Sequence, residues 1–531
     1  MRSNPPVRHA ALRDAVPTRP THERIGIVFV HGIGQQPESG TVRQFGGVLL
    51  GWLREWYGAR GLALEVESAS LSYGQRADPP ARFAVRLPDA AQTWVFAEAW
   101  WASRLSAPSF AKMVGWALVV VWRVLDRLWR SFTKNGSLWV AIPRPLYERA
   151  IRAASAFFLL IGVALAAALY VPFLALFFLL AQLPGPFERA VLALRLFLVD
   201  QIGDFYTFLN DDVQARHIHQ AVADSVKHLV TQERCGRIVV MAHSQGAVVA
   251  FDALSSSPIP EITAVSTLVT VGGALNNAWR LRPSGSRRLR GDLPGHIRWL
   301  DVWADYDYVA GGTLVRPGRA QASEDVPVMN TLNVITDHGG YFTNREEFLS
   351  LLAQEVNAPG APQTSRFRSP DTERWIRRRR DRVLTMVSWR LVAFILFAAA
   401  MLSRMRPLDR LGADGDAAGL WLGKLPLLGG VVDALTNVAG WLSLRPPVSD
   451  AFARLFGMGV WVAAYTLLFV ALYSLVFGPW HEAEGRRSLG TAPPPATQRL
   501  EIIVTSVLVL LGLFAGAWSI VDLPPLPRPV P

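Results

Sequence analysis

A strand-to-helix turn around Ser244 constrains the fold more than any other feature of the sequence. The apolar run from Arg237 to Ala242 predicts a buried strand, and the small apolar residues after Gly246 predict the start of a helix. A serine on such a turn holds its hydroxyl clear of the sheet, where it suits a nucleophile better than a packing residue. The sequence therefore predicts an α/β sheet whose edge carries a reactive serine.

Strands alternate with helices on both sides of this turn. Alternation of this kind predicts a mostly parallel sheet with helices on its faces. Further strands are predicted at Ile25–Val30, Leu62–Leu71, Thr93–Phe96, Val265–Val271, Arg298–Trp303 and Thr331–Ile335, and helices at Val42–Tyr57, Asp212–Glu233 and Asn344–Val356.

Composition predicts membrane segments in addition to this sheet. Of the 531 residues, 51% are hydrophobic and 18% are charged, and the net charge is +12. Soluble domains carry about 25% charged residues. Many arginines flank long apolar runs, so the positive net charge favours the lipid bilayer over nucleic acid as the partner. One cysteine, Cys235, excludes an internal disulfide and a cysteine metal cluster.

Several apolar runs have the length that a bilayer crossing requires, about 20 residues. Three are predicted spans: Val383–Leu402, Leu455–Gly478 and Ile502–Val521. The run Phe157–Leu183 contains Pro172 and predicts a membrane hairpin or one tilted span. The hairpin is preferred because the two α/β stretches must lie on one side of the membrane to share a sheet.

These patterns divide the chain into successive segments. We predict a disordered arm at 1–23, the first part of an α/β domain at 24–100, a helical insertion with an amphipathic helix and a membrane hairpin at 101–199, the second part of the α/β domain at 200–357, a basic linker at 358–382, a transmembrane helical region at 383–523 and a Pro-rich tail at 524–531. The arginine cluster at 377–382 beside the first span predicts a cytoplasmic catalytic domain, although further arginines on the presumed far side weigh against it.

Candidates for the groups that activate a serine follow other strands. A serine hydroxyl needs a base, an acid that orients the base, and hydrogen-bond donors for the oxyanion. His338, in a loop before a helix, is the candidate base. Asp307, after the strand Arg298–Trp303, is the candidate acid, and Asp305 is its alternative.

The oxyanion donors are predicted to be backbone amides. One is the amide of Gln245, directly after the nucleophile. The other comes from the turn His31-Gly32-Ile33-Gly34, with Ile33 preferred and Gly34 as the alternative. His243 is expected to point away from the nucleophile.

Together these motifs resemble the α/β-hydrolase superfamily of serine esterases and lipases. The resemblance rests on residues 29–35, which include His31, Gly32 and Gly34, on Ala242-His243-Ser244-Gln245-Gly246, on residues 307–311, and on His338 to Tyr341. The order Ser, Asp, His is that of the family, while Ala242 replaces the first glycine of its Gly-x-Ser-x-Gly motif. The resemblance covers about residues 24–100 and 200–356. It implies hydrolysis of an ester, thioester or amide through an acyl-enzyme, with no metal and no cofactor.

We therefore expect a membrane-bound serine hydrolase that cleaves a lipid or another acyl ester. A catalytic domain tethered beside a bilayer meets dissolved lipids at high local concentration. An amidase or thioesterase of the same fold and a non-catalytic membrane scaffold remain alternatives. The sequence leaves the oligomeric state open.

Overall fold

The computed structural model describes residues 22–34, 36–71, 80–102, 203–256, 258–282, 286, 288–304, 306–316, 323–331, 336–361, 365–380 and 383. The chain divides into two units, Met1–Val383 and Leu384–Pro531, and these residues all belong to the first. Apart from Val383, the predicted amphipathic helix, membrane hairpin, transmembrane region and tail lie outside the described residues. Among the residues described, no helix combines the length and the apolar character needed to cross a membrane.

Eight strands form one mixed sheet in this part of the chain. Their bounds are β1 Glu23–Val30, β2 Glu65–Ser70, β3 Arg82–Arg86, β4 Gln92–Ala99, β5 Arg237–His243, β6 Val265–Val271, β7 Arg298–Ala304 and β8 Glu324–Val328. They lie in the order β2-β3-β4-β1-β5-β6-β7-β8. Six neighbouring strands pair in parallel, in the order β4-β1-β5-β6-β7-β8. The strands β2 and β3 add an antiparallel edge next to β4. The prediction of a mostly parallel sheet is confirmed.

Helices flank the sheet, as predicted. The α-helices are α1 Gly47–Gly58, α2 Asp204–Asn210, α3 Asp212–Thr231, α4 Gln245–Ser256, α5 Leu275–Leu281 and α6 Ser350–Asn357, and a further helix, α7, covers 370–380. Single π-helical turns precede α1 at Val42–Gly46 and α6 at Arg345–Leu349, and 3-10 helices cover Pro260–Ala264 and Gly340–Thr343.

Local sequence explains where α3 begins and which face it buries. The Asp211 carboxylate accepts hydrogen bonds from the amides of Val213 and Gln214, which satisfies two of the unpaired donors at a helix start. Ile218 and Val222 are four positions apart, and both are buried. Residues at this spacing share one face of a helix, so the apolar face of α3 packs against the sheet.

The carboxyl ends of the parallel strands determine where a site can form. β1, β5, β6 and β7 are neighbours, so the loops that follow them meet at one edge of the sheet. Ligand and catalytic groups of open parallel sheets collect at this edge. The loops carry His31, Ser244, Gly272 and Asp307 respectively.

Candidate active site

Ser244 alone forms the turn between β5 and α4. Its φ is +58°, in the left-handed region that costs a residue with a Cβ atom free energy. The surrounding backbone holds this conformation. The Ser244 amide donates to the carbonyl of Val271 at 3.0 Å, and its carbonyl accepts from the amides of Ala247 and Ala274. The nucleophile candidate is therefore positioned by neighbours on both sides.

Two glycines let the loop after β1 approach this turn. A Cβ atom on Gly246 would lie 2.4 Å from the carbonyl oxygens of Val30 and His31. A Cβ atom on Gly32 would lie 2.8 Å from the Cβ atom of Ser244. Only glycine fits at such distances, so the predicted oxyanion loop lies directly against Ser244.

His338 connects Ser244 to Asp307. Its Nε2 atom lies 3.0 Å from the Ser244 hydroxyl oxygen. Its Nδ1 atom lies 3.0 Å from each oxygen of the Asp307 carboxylate. With Nδ1–H donating to the carboxylate, Nε2 is the nitrogen that accepts the serine proton. The structure thus brings together three residues separated by up to 94 positions in the chain.

The environment of Asp307 keeps it ionised. Burial raises the pKa of this carboxyl, but hydrogen bonds from His338 and Tyr341, the charge of His338 and the amide of Ala310 outweigh burial, and the pKa is lowered. The Val309 amide also donates to it, at 2.8 Å. An ionised carboxylate can orient the imidazole and stabilise its cationic form.

Two further aspartates lie close to Asp307 in sequence. Asp305, the predicted alternative acid, lies outside the described residues. Asp301 lies within β7, where its carboxyl accepts a hydrogen bond from the Thr270 hydroxyl at 2.6 Å. Burial raises the pKa of Asp301 to about 8, so at neutral pH this group is mostly uncharged.

Tyr341 supports the acid from the far side. Its hydroxyl donates to Asp307 Oδ2 at 2.7 Å and accepts from the Ala304 amide at 2.9 Å. Burial and the Asp307 charge raise the pKa of Tyr341 well above its ordinary value, so the hydroxyl keeps its proton. Sequence reasoning quoted Tyr341 as part of a motif but gave it no task.

His31 organises the turn after β1 as a neutral imidazole. Its Nδ1–H donates to the Gly32 carbonyl at 2.8 Å, and its Nε2 accepts from the Trp101 amide at 3.2 Å. The two rings stack with centroids 4.4 Å apart, and the Trp101 indole donates to the His31 carbonyl at 3.1 Å. Burial lowers the pKa of His31 to about 4. Sequence reasoning missed Trp101, which follows β4 without any motif.

The predicted oxyanion donors differ in their availability. The Gly34 amide donates to the Asp204 carboxylate at 3.1 Å, so this alternative donor is already engaged. In the part of the chain that the structure describes, the amides of Ile33 and Gln245 donate no hydrogen bond. The preferred pair is thus the pair whose N–H groups remain open to a ligand oxygen.

His243 contacts the base candidate. The sequence predicted only that this side chain points away from the nucleophile. Its ring stacks on the His338 ring with centroids 4.8 Å apart, and its Nε2 atom lies 3.1 Å from the His338 carbonyl oxygen. Burial and the His338 charge lower the pKa of His243 to about 4. At neutral pH its task is to hold the His338 loop and not to transfer protons.

Comparison with known proteins adds no relative. The chain matches no protein-family model, no curated protein and no solved structure. Within the described residues, no group of three or more His, Cys, Asp or Glu side chains is arranged to hold a metal ion. The chemistry must be argued from the geometry of Ser244, His338 and Asp307.

Proposed function

We propose that the chain is a membrane-bound serine hydrolase of the α/β-hydrolase type, which cleaves an ester through an acyl-enzyme. One observation carries the proposal: an unbroken series of hydrogen bonds runs from the Ser244 hydroxyl through the His338 imidazole to the buried Asp307 carboxylate. The left-handed serine on a strand-to-helix turn supports it, because this turn presents a nucleophile above a parallel sheet.

In the proposed mechanism, the Ser244 oxygen attacks the substrate carbonyl carbon while His338 Nε2 takes the hydroxyl proton. Asp307 stabilises the resulting imidazolium. The amides of Ile33 and Gln245 bind the oxyanion, and such donors are worth roughly 3 kcal/mol each in the transition state. Collapse of the tetrahedral intermediate expels the alcohol, which receives the proton from His338. Water, activated by His338, then hydrolyses the acyl-enzyme.

The proposed substrate is a lipid or another acyl ester. Its support is the apolar character of the runs at 157–183 and beyond 383, which would place the catalytic unit beside a bilayer. A thioester or an amide would react through the same groups. A series of substrates with matched acyl chains and different leaving groups separates these three activities.

Labelling of the full-length chain with a fluorophosphonate probe tests the proposal. We expect covalent labelling of Ser244, loss of labelling in Ser244→Ala, and a decrease of at least about 10³-fold in ester hydrolysis in that variant. Ser68→Ala, which changes an exposed serine on β2, is the matched control. Hydrolysis at the wild-type rate by Ser244→Ala would refute the assignment, and absence of labelling in the unsubstituted chain would favour a non-catalytic scaffold.

A further inference from the structure

Helix α7, at 370–380, carries two kinds of arginine. Arg377 and Arg378 are exposed. Arg379 and Arg380 are half-buried and reach the π-helical turn before α6, where Glu346 and Glu347 are buried. The arginine cluster, interpreted from sequence as a signal for membrane orientation, therefore also contains two residues that bind the catalytic unit.

The inner arginines neutralise this pair of buried carboxylates. Arg380 forms a bidentate contact with Glu347, at 3.1 Å and 2.9 Å. The Nε atom of Arg379 lies 3.2 Å from a Glu346 carboxylate oxygen. Adjacent buried carboxylates repel each other and lose hydration, so they need such charge-assisted partners. Two cations and two anions thus form one interlocked cluster.

Arg379 extends from this cluster to the segment after β8. Its guanidinium donates to the carbonyl oxygen of Met329, and to that of Asn330 at 3.0 Å. Glu347 accepts the Met329 amide at 3.1 Å. The same short segment is therefore held through its carbonyls by Arg379 and through an amide by Glu347.

This segment in turn holds the residue before the base. The Asn330 side chain donates to the Asp337 carbonyl at 2.9 Å, and the Thr331 amide donates to the Asp337 carboxylate at 2.7 Å. Asp337 is buried and also accepts the Tyr306 amide. His338 follows Asp337 directly, so two consecutive hydrogen-bonded links connect Arg379 to the backbone of the base.

We infer that Arg379 is a positioning residue for His338, and that Arg380 supports it by balancing Glu347. The inference rests on the proposed function, since it concerns the base of that reaction. Helix α7 then belongs to the catalytic unit, although it is distant in sequence from the nucleophile and directly precedes the apolar run that begins at Val383.

Steady-state kinetics of the full-length chain test this role. Arg379→Ala should lower kcat by about 10- to 100-fold, because a displaced base costs rate at every turnover. KM should remain unchanged, since the base does not bind the ground state. Arg377→Ala removes the same charge from the exposed face of the same helix and should keep the wild-type kcat. Rates are expressed per Ser244 titrated with fluorophosphonate, so loss of folded protein alone does not lower them.

Two further experiments distinguish positioning of His338 from a purely structural role of Arg379. Millimolar guanidinium should restore part of the kcat of Arg379→Ala and none of that of Ser244→Ala. Arg379→Lys keeps the charge, but its single nitrogen replaces three nitrogens spread across a planar guanidinium, so its kcat should also fall. If Arg379→Ala does not fold, the lysine variant decides the question.

The possible outcomes distinguish this inference from the function on which it rests. Wild-type kcat and a wild-type labelling rate in folded Arg379→Ala or in Arg379→Lys would overturn the positioning role alone. Absence of Ser244 labelling in the unsubstituted chain would overturn the proposed function, and the positioning role with it.

Discussion

The Nε2 atom of His243 lies 3.1 Å from the carbonyl oxygen of His338, so the residue before the nucleophile holds the residue that would activate it. Stacking of the two rings reinforces this hydrogen bond, and Phe45 and Phe342 pack edge-on against the His243 ring. One side chain at the end of β5 therefore aligns two segments that are distant in sequence.

Replacement of His243 tests this alignment. His243→Phe retains an aromatic ring but loses the donor to the His338 carbonyl. Because one neutral hydrogen bond contributes about 1 kcal/mol, we expect kcat on an activated ester to fall by about five- to tenfold. His217→Phe, which changes an exposed histidine on α3, is the control. Equal kcat values in the two variants would contradict the alignment.

Tyr341→Phe removes a donor from Asp307. The lost hydrogen bond is one that lowers the pKa of this carboxyl, so the pKa of Asp307 should rise. Because the proposed mechanism needs the ionised carboxylate, kcat of the variant should fall further below that of the wild-type chain as the pH is lowered. The free energy of unfolding should also fall by about 1.5 to 3 kcal/mol, the contribution of a hydrogen bond to a charged group.

Tyr308→Phe provides the control for that experiment. This tyrosine is adjacent to Asp307 in sequence and 56% exposed. Its pH–kcat profile should coincide with that of the wild-type chain. The same additional fall of kcat at low pH in both variants would show that the Tyr341 hydroxyl has no specific effect.

Gly246→Ala tests the close approach beneath the nucleophile. The new methyl would meet the carbonyl oxygens of Val30 and His31 at 2.4 Å, and backbone cannot move aside without displacing the oxyanion loop. We expect loss of fluorophosphonate labelling and a lower melting temperature. In contrast, Gly51→Ala in the interior of α1 meets no atom within 4 Å and should stabilise the chain by about 0.5 to 1 kcal/mol. Normal labelling of Gly246→Ala would disprove the steric argument.

Glu98 should make stability depend on pH. This carboxyl is buried in β4, and burial raises its pKa from 4.5 to about 7, an effect that the Thr41 hydroxyl only partly offsets. Between these two pH values the folded chain binds more protons than the unfolded chain, so stability decreases as pH rises. The full loss, reached above pH 7, is about 3 kcal/mol.

Glu98→Gln removes this titration. The variant should match the wild-type melting temperature more closely at pH 5 than at pH 8.5, where it should be the more stable chain. Glu65→Gln, on the exposed strand β2, should keep the wild-type dependence. If the melting temperatures of Glu98→Gln and the wild-type chain changed with pH in the same way, Glu98 would not be the source of that dependence.

Much of the sheet could be predicted because its central strands are continuous apolar runs. β5 and β6 were located from such runs, since strands covered on both faces need apolar residues at nearly every position. β3 and β8 were missed. β3 has arginine at both ends, and β8 begins with two acidic residues and contains Pro327. Proline and charge are tolerated in β8 because it is an edge strand. Of the predicted strand Thr331–Ile335, Thr331 lies in a loop and the remainder lies outside the described residues.

The proximity of Ser244, His338 and Asp307 could be expected where the sequence signal is local. The turn at Ser244 is encoded by a few consecutive residues, and Asp307 lies shortly after a strand that was predicted, β7. The supporting roles of Tyr341 and Arg379 depend on packing between segments tens of residues apart, and no short motif records such contacts. The catalytic roles and the membrane location remain predictions.

The turn from His31 to Gly34 is hydrogen-bonded to both borders of the long segment between β4 and α2. Trp101, at the border after β4, holds His31, and Asp204, where α2 begins, binds the Gly34 amide. In sequence, Trp101 and Asp204 flank residues 103–202, and each is hydrogen-bonded to the loop after β1. The placement of this loop beside Ser244 therefore depends on two side chains that are far apart in the chain. Loss of either Trp101 or Asp204 should therefore loosen the His31–Gly34 turn from one end of the sequence segment that separates them.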